Sequence, residues 1–436
     1  MLALAGFAAV GLLLLLILTK RASPLVALVV VPVVASVVVG HGGELGQHVT
    51  AGIQQTAPMA ATFVFAIIHF GVMADAGLMD PAIDRVIRMA GTSPVRIVMG
   101  SALLAALVHL DGSGATTFLV TIPALLPLYE RLGMDRRVLA CVVALAAGIM
   151  NMLPWGGPLL RAAASLHVTS TALFVPLVPA LVAGLGFLFA AAFWLGRREE
   201  RRIGPDRGVG TAADPGGHTR GLSDADRALR RPRLIWFNAL LTLAVLLALV
   251  FAWGPPALAF MLAAAVALVV NYPRVGDQRE RVDAHAKAGL MMATILLAAG
   301  AFTGVMKGTG MLSAMAASAV GVVPPTLASH LPLLLALTSV PLSLLFDPDS
   351  FYFGVLPVIA EVAATSGIGP VPIGQAALIG QMTTGFPVSP LTPATFLLVG
   401  LTGLDLAEHQ RFTIPWLLGA AVVMTIVCVL FGVFPL

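Results

Sequence analysis

The sequence predicts an all-α polytopic membrane protein built from two inverted-topology repeats, each with five transmembrane helices and one re-entrant hairpin. Three observations lead there. Of the 436 residues, 58% are hydrophobic and only 11% are charged, with mean hydropathy +0.97. Soluble domains run to about 45–50% apolar and about 25% charged residues, so lipid must cover the excess. The apolar runs are about 20 residues long and lack period-two alternation, which selects helices over a closed barrel. Finally, one pattern occurs twice, about 233 residues apart. Gly71-Val72-Met73 with Gly77-Leu78-Met79 returns as Gly304-Val305-Met306 with Gly310-Met311-Leu312, and the break Asn151-Met152-Leu153-Pro154 returns as Thr384-Gly385-Phe386-Pro387.

Taken in order, full spans are expected near 1–19, 24–40, 58–77, 138–166 and 171–196, then 234–253, 255–271, 288–306, 373–401 and 411–434. Lys20 and Arg21 follow the first run instead of preceding it. A signal peptide carries its charges first, so this run is read as a retained span. Residues 96–130 and 329–366 are each two short apolar arms around a polar tip: Asp111-Gly112-Ser113-Gly114 in one, Asp347-Pro348-Asp349-Ser350 in the other. Arms of about 15 residues are short for a crossing. Such segments read as re-entrant hairpins, tolerated at membrane depth only against protein or a watery cavity.

Positive charge orients the chain. Residues 197–233 carry ten arginines and are expected on the cytoplasmic side. Five spans precede them, so both termini are expected outside. The stretches 41–57 and 313–330, expected as outer loops, contain no Lys or Arg, and of the 25 basic residues only Arg161 and Lys307 fall away from the inner side. An odd number of spans inserts the second half upside down. The domains expected are an N-terminal repeat, 1–203, with a cytoplasm-facing hairpin at 96–130; a cytoplasmic Arg-rich linker, 204–233; and a C-terminal repeat, 234–436, with an outward-facing hairpin at 329–366. The net charge of +4 is accounted for by these loops and implies no nucleic-acid partner. Cys141 and Cys428 lie far apart in apolar runs, giving neither a disulfide framework nor a metal spacing.

The interruptions carry the candidate chemistry. In the first tip, Gly112 and Gly114 permit a tight turn. The arm that follows starts with free N–H groups and the positive end of a helix dipole, which suits an anion. Ser113, Thr116 and Thr117 add hydroxyls. Asp111 has two readings, a cap for the following helix or a functional carboxylate at membrane depth. In the second tip Asp347 is placed as an N-cap with Pro348 as the first helical residue, leaving Asp349 and Ser350 as site candidates. At the breaks, Asn151, Gly156 and Gly157, and Thr383, Thr384 and Ser389, lie where unwound backbone exposes carbonyls to cations and N–H groups to anions. Arg161 either forks onto a substrate carboxylate or snorkels to the outer interface; Lys307 is read as snorkelling. His109 and His69 are either proton carriers or packing residues, and Asp75 and Glu361 are read as interfacial. Proton coupling is assigned to Asp111, Asp347, Asp349 and His109. No phosphate loop, nucleophile elbow or paired-histidine metal motif occurs in the sequence, so the expectation is a carrier driven by an ion gradient, not an enzyme.

Several stretches resemble one known family. Asp111 to Thr117, Leu126-Pro127-Leu128-Tyr129 with Arg131-Leu132-Gly133-Met134, and Asn151-Met152-Leu153-Pro154-Trp155-Gly156-Gly157-Pro158 are similar to the citrate–metal:proton symporters (CitMHS) of the ion transporter superfamily. So are the run Leu25 to Val31 before Pro32, the segment Gly71 to Pro81 and the tip Asp347 to Phe351, so that the likeness covers nearly the whole chain. The resemblance implies an elevator-type transport domain on a dimeric scaffold in a bacterial cytoplasmic (inner) membrane. It also implies a cargo of citrate complexed with a divalent ion of Mg or Ca type, moved with protons. Citrate of charge −3 and a divalent ion leave a complex of charge −1, and citrate supplies much of the metal's oxygen shell. No resident cofactor and no dedicated protein cage for the metal are therefore expected. The family tip is Asp-Gly-Asp-Gly in several members, whereas here Ser113 takes the third position. That difference keeps open a proton- or sodium-coupled carrier of another organic anion, a dicarboxylate or a sugar acid. A cation/proton antiporter or channel is the further alternative.

Overall fold

The computed structural model describes residues 1–19, 21–91, 93–204, 224–251, 253–320, 330–380 and 384–434, and all regular structure among them is helical. The N-terminal half runs α1 (Leu2–Leu18), α2 (Pro24–Val38), α3 (Leu45–Asp75), α4 (Asp80–Ala90), α5 (Pro94–Val108), α6 (Gly114–Arg131), α7 (Arg136–Met150), α8 (Gly157–Leu166), α9 (Ser170–Phe174) and α10 (Val178–Ile203). A short α11 (Asp224–Leu229) leads to the second half: α12 (Ile235–Val250), α13 (Pro256–Asn271), α14 (Val275–Gly308), α15 (Met311–Val320), α16 (Leu331–Leu342), α17 (Leu356–Ala364), α18 (Pro370–Ile379), α19 (Pro393–Thr402) and α20 (Leu406–Leu430).

Six described helical stretches are long and apolar enough to cross a membrane: Gly42–Asp75, Pro94–Asp111, Ser170–Ile203, Pro232–Leu249, Val275–Gly308 and Leu406–Leu430. The first two expected spans, α1 and α2, belong instead to a group of shorter apolar helices of 10–17 residues, whereas Pro94–Asp111, the first arm of the hairpin expected at 96–130, is of crossing length and not too short as the sequence reading had it. The expected spans 138–166 and 373–401 are each two helices either side of a break.

Three boundaries correct the sequence reading. The stretch 313–330 was expected as a loop, but residues up to Val320 belong to α15, and 321–329 lie outside the described residues. The third and eighth spans were expected from 58 and 288, but their helices begin at Leu45 and Val275. Most of 41–57, expected as a loop, is therefore helix. Hydropathy reports where the apolar run ends, and a helix of polar residues continues past it unannounced. With 31 and 34 residues, α3 and α14 extend about 46–51 Å at 1.5 Å per residue, well beyond a hydrocarbon core of about 30 Å.

These two long helices cross on glycine. A Cβ on Gly52 would lie 2.0 Å from the Gly300 carbonyl oxygen, and one on Gly304 would lie 2.4 Å from the His48 carbonyl oxygen. Small residues let helix backbones approach closely where lipid offers no hydrophobic drive to associate. Toward the other end of the crossing, Gly71 lies against the His285 ring. The doubled Gly-Val-Met motif is thus part of the contact between α3 and α14.

The apolar interior has two main parts. One gathers α1, α2, α14 and α15 around Leu13, Leu28, Phe302 and Met306. The larger one gathers α5 to α8, α10, α18 and α20. At its centre every α7 residue from Val138 to Met150 is buried, as a helix apolar on all sides requires. Residues 205–223 of the linker lie outside the described residues. The described end of the linker is fastened to α3. Arg230 donates from Nη1 to the carbonyls of Ala74 and Asp75 at 2.7 and 2.9 Å and pairs with Asp80 at 2.8 Å, a favourable placement for a cation at a helix C-terminus.

Candidate functional site

The first tip is built by local backbone chemistry. After α5 a 3-10 turn over His109–Asp111 leads to Gly112, whose φ of +74° lies in the left-handed region that glycine enters without strain. Asp111 Oδ1 accepts from the Ser113 amide at 2.8 Å, and Ser113 Oγ accepts from the Thr116 amide at 3.3 Å. The N-cap of α6 is therefore Ser113, which corrects the capping reading of Asp111: that carboxylate closes the turn one step earlier.

The first break, between α7 and α8, packs on this tip. His109 is buried, with Nδ1 2.8 Å from Thr117 Oγ1 and Nε2 3.5 Å from Asn151 Oδ1. Trp155 Nε1 donates to the Leu110 carbonyl at 2.8 Å. The break admits only glycine at Gly156, where a Cβ would lie 2.5 Å from the Asn151 carbonyl oxygen.

The second tip follows the order read from its sequence. The helix starts at Pro348. Asp347 Oδ1 accepts from the amides of Asp349 and Ser350 at 2.9 and 3.0 Å, and Ser350 Oγ donates to Asp347 Oδ2 at 2.5 Å. From Ser350 to Val355 the chain winds as a π-helix, a form often found at functional positions. The second break lies between α18 and α19, and neighbours satisfy the carbonyls it frees. His409 Nε2 bonds to the Pro387 carbonyl at 2.9 Å, Gln410 donates to that of Val388 at 2.8 Å, and Thr395 to that of Phe386 at 2.9 Å. Thr384 and Ser389 are fully buried; Thr384 Oγ1 donates to the Ile379 carbonyl, and Ser389 Oγ accepts from the Leu391 amide.

Two contacts tie a tip or break of one half to the other half. Arg161, one turn beyond the first break, donates from Nε to Asp349 Oδ1 in the second tip at 2.7 Å. Both side chains are 10% exposed, so the snorkelling reading of Arg161 is overturned. Lys307, by contrast, is exposed at the end of α14. In return, Phe386 of the second break stacks on Phe118 of α6, and a Cβ on Gly114 would lie 2.8 Å from its ring.

A cavity of about 510 Å³ opens beside these elements. Its polar wall is Asp111, Gly112, Ser113, Thr116 and Arg161, and its facing wall, from α3 and α14, includes Phe63, Phe70, Met292, Ile295 and His285. A neighbouring cavity of about 330 Å³ shares Asp111 and Thr116 and adds Asp75, Asp80 and Arg230. Thr117, His109, Asn151 and Asp349 stand behind the polar wall, in contact with each other or with Arg161. Gly157 adjoins the Arg161 guanidinium, with a Cβ position 2.9 Å from Nη1. Gly114, Gly156, Ser350, Thr384 and Ser389 serve packing and backbone geometry in this arrangement; Thr383 lies outside the described residues. Sequence reasoning missed His285, because it fell in a stretch expected to be loop. Among the described residues no cluster of three or more His, Cys, Asp or Glu is placed to hold a metal ion.

Interrupted helices meeting at a polar cavity inside an apolar helical bundle define a multi-pass membrane protein of the transporter class. The profile of the citrate transporter family (CitMHS) matches residues 13–380, and the chain belongs to that family. It is 44% identical over 434 residues to a "Citrate transporter" of Bacillus subtilis (strain 168), covering 99% of each chain. It is 40% identical over 433 residues to a "Mg(2+)/citrate complex secondary transporter" of the same organism, again covering 99% of each. Among solved structures, the Alcanivorax borkumensis YdaH transporter superposes with a TM-score of 0.61 at 15% identity, covering 91% of each chain. Neisseria gonorrhoeae MtrF gives 0.57 at 14% identity, covering 89% of this chain and 84% of that one. At such identities these two likenesses concern the fold alone. The protein's function is transport, not enzymatic catalysis.

Proposed function

We propose that the protein imports citrate complexed with a divalent metal ion, coupled to protons. The observation that carries this reading is the cavity where Arg161, the Ser113 and Thr116 hydroxyls and the start of α6 face one space beside the carboxylate of Asp111. A guanidinium and hydroxyls at the positive end of a helix dipole suit carboxylate oxygens. Asp111 is available to a proton or to the metal side of the complex. The relative named for the Mg(2+)/citrate complex supports a complexed cargo. Uptake of labelled citrate into proteoliposomes, with and without Mg²⁺ or Ca²⁺ and under an imposed pH gradient, tests it. Uptake indifferent to the metal would reject the complexed cargo, and uptake indifferent to the gradient would reject proton coupling.

The same reading includes the architecture. Helix starts recur near the 233-residue offset, Leu2 with Ile235, Pro24 with Pro256 and Arg136 with Pro370, which supports two repeats, 1–203 and 234–436, around the linker. Five spans per repeat then give inverted topology, hairpins 96–130 and 329–366 entering from opposite sides, both termini outside and the linker 197–233 in the bacterial cytoplasm. The exposed apolar faces of α12 and α13, with Leu240, Leu243, Leu262 and Val266, leave room for a homodimeric scaffold against which the tips and breaks move as an elevator. The second reading, a carrier for another organic anion, is favoured by Ser113, which supplies one carboxylate fewer than the Asp-Gly-Asp-Gly tip. Competition of citrate uptake by a panel of di- and hydroxy-acids separates the two.

A further inference from the structure

We propose that His285 is a binding residue for the anionic cargo and that its protonation sets the affinity, with Asp75 as its positioning partner. This rests on the organic-anion reading above. His285 projects from α14 into the 510 Å³ cavity that Asp111, Ser113 and Arg161 line from the other side. Its Nε2 lies 2.9 Å from Asp75 Oδ2 on α3, and that same oxygen receives Arg281 Nη1 at 3.2 Å. Nδ1 has no hydrogen-bond partner among the described residues. A carboxylate on Nε2 fixes the tautomer with the proton there, so Nδ1 is a lone pair in the neutral ring and an N–H donor in the imidazolium. The ring reaches this position because Gly71 has no side chain: a Cβ there would lie 2.5–2.6 Å from three ring atoms.

The charges around it make the ring a switch. On α14, Arg281 Nη2 also bonds Glu280 at 2.8 Å. Glu280 is 72% exposed and screened by water, so the buried members decide the balance: Arg281 and the imidazolium against Asp75 leave +1, and with the neutral ring the sum is zero. Loss of the proton therefore removes one positive charge from the wall that faces an anion. From the other elements, Asp111 and Arg161 face the same cavity, Arg161 paired with Asp349 behind the wall, while Arg230 and Asp80, paired with each other, face the adjoining one. None of these compensates the lost imidazolium charge. Low pH therefore favours cargo binding, and loss of the proton favours release.

The test is the pH profile of KM for Mg²⁺–citrate, expressed as the concentration of the complex at each pH because citrate itself titrates, measured with the full chain in proteoliposomes between about pH 5.5 and 8. In the wild type KM rises with pH by about 10- to 100-fold, the worth of one charge-assisted hydrogen bond. In His285→Gln KM is flat near the wild-type high-pH value, and in His285→Arg it is flat near the low-pH value. A merely structural role would not place the two variants at opposite ends. Gly71→Ala, which favours the helix, displaces the ring and flattens the profile at normal membrane abundance. A wild-type profile in His285→Gln, or in Gly71→Ala where His285→Gln does not accumulate, overturns the proposal. If the wild type takes up no citrate, the citrate reading fails separately, and the same comparison is made with whichever carboxylate of a panel it carries.

Discussion

Replacing Arg161 by Gln removes the cation from an ion pair that joins the two halves of the chain. The guanidinium and the Asp349 carboxylate lie 2.7 Å apart, each 10% exposed, so water screens them little. Removing one member leaves the other charge buried and uncompensated, at a cost of about 3–5 kcal/mol. Asp349→Asn has a cost of the same order for the converse reason. In the double variant both charges are gone, and its destabilisation falls short of the sum by about 2–3 kcal/mol. Unfolding of the purified protein in detergent measures this cycle. Single effects that add within about 0.5 kcal/mol would refute the coupling. Uptake separates clamp from receptor. If the guanidinium meets the cargo, Arg161→Gln lowers the ratio of maximal rate to KM by about 10- to 100-fold, the worth of a charge-assisted hydrogen bond. Asp349→Asn, which frees the guanidinium from its competitor, leaves KM unchanged or lower. Normal citrate kinetics in Arg161→Gln at normal membrane abundance would leave Arg161 a structural clamp and move the anion's receptor elsewhere.

Three further outcomes are expected. Asp111→Asn mimics the protonated carboxylate, so maximal uptake falls and its pH dependence flattens while membrane insertion is intact; an unchanged profile would return Asp111 to turn formation alone. Gly300→Ala places a methyl 2.2 Å from Thr56 Oγ1 and 2.7 Å from the Gly52 carbonyl oxygen. Overpacking of that kind costs about 1–3 kcal/mol, to be read as a lowered melting temperature, and a variant as stable as wild type would show that α3 and α14 separate freely. Asp347→Ala removes the acceptor for two amides and one hydroxyl at the second tip and costs about 0.5–2 kcal/mol, the range for a lost helix cap; hydrogen exchange at Asp349 and Ser350 should rise, and unchanged protection would deny the cap.

Much of the site was legible as irregularity. Prolines and glycines at Asn151–Pro158 and Gly385–Pro390 cannot continue a helix, so the sequence alone locates both breaks. Asp347 before Pro348 read as a helix start, and the chain starts its helix there. Partners across the fold were less legible. Nothing near Arg161 in sequence names Asp349, 188 residues away, and only burial in the fold removes the interfacial reading. His285 was hidden for a different reason: hydropathy ended the span at 288, whereas the helix continues to Val275, carrying polar residues onto the wall of a cavity.

By itself, the sequence determined that this chain lives in lipid as helices, that its pattern occurs twice, and that its helices are interrupted at matching places, because hydrophobic run length, charge asymmetry and helix-breaking residues act locally. Tertiary structure alone decided which interruptions face which: the first break reaching Asp349, the second break reaching Phe118, and Gly71 making room for a histidine from the other half. Those pairings depend on close approach between helices distant in sequence, and only packing sets that distance.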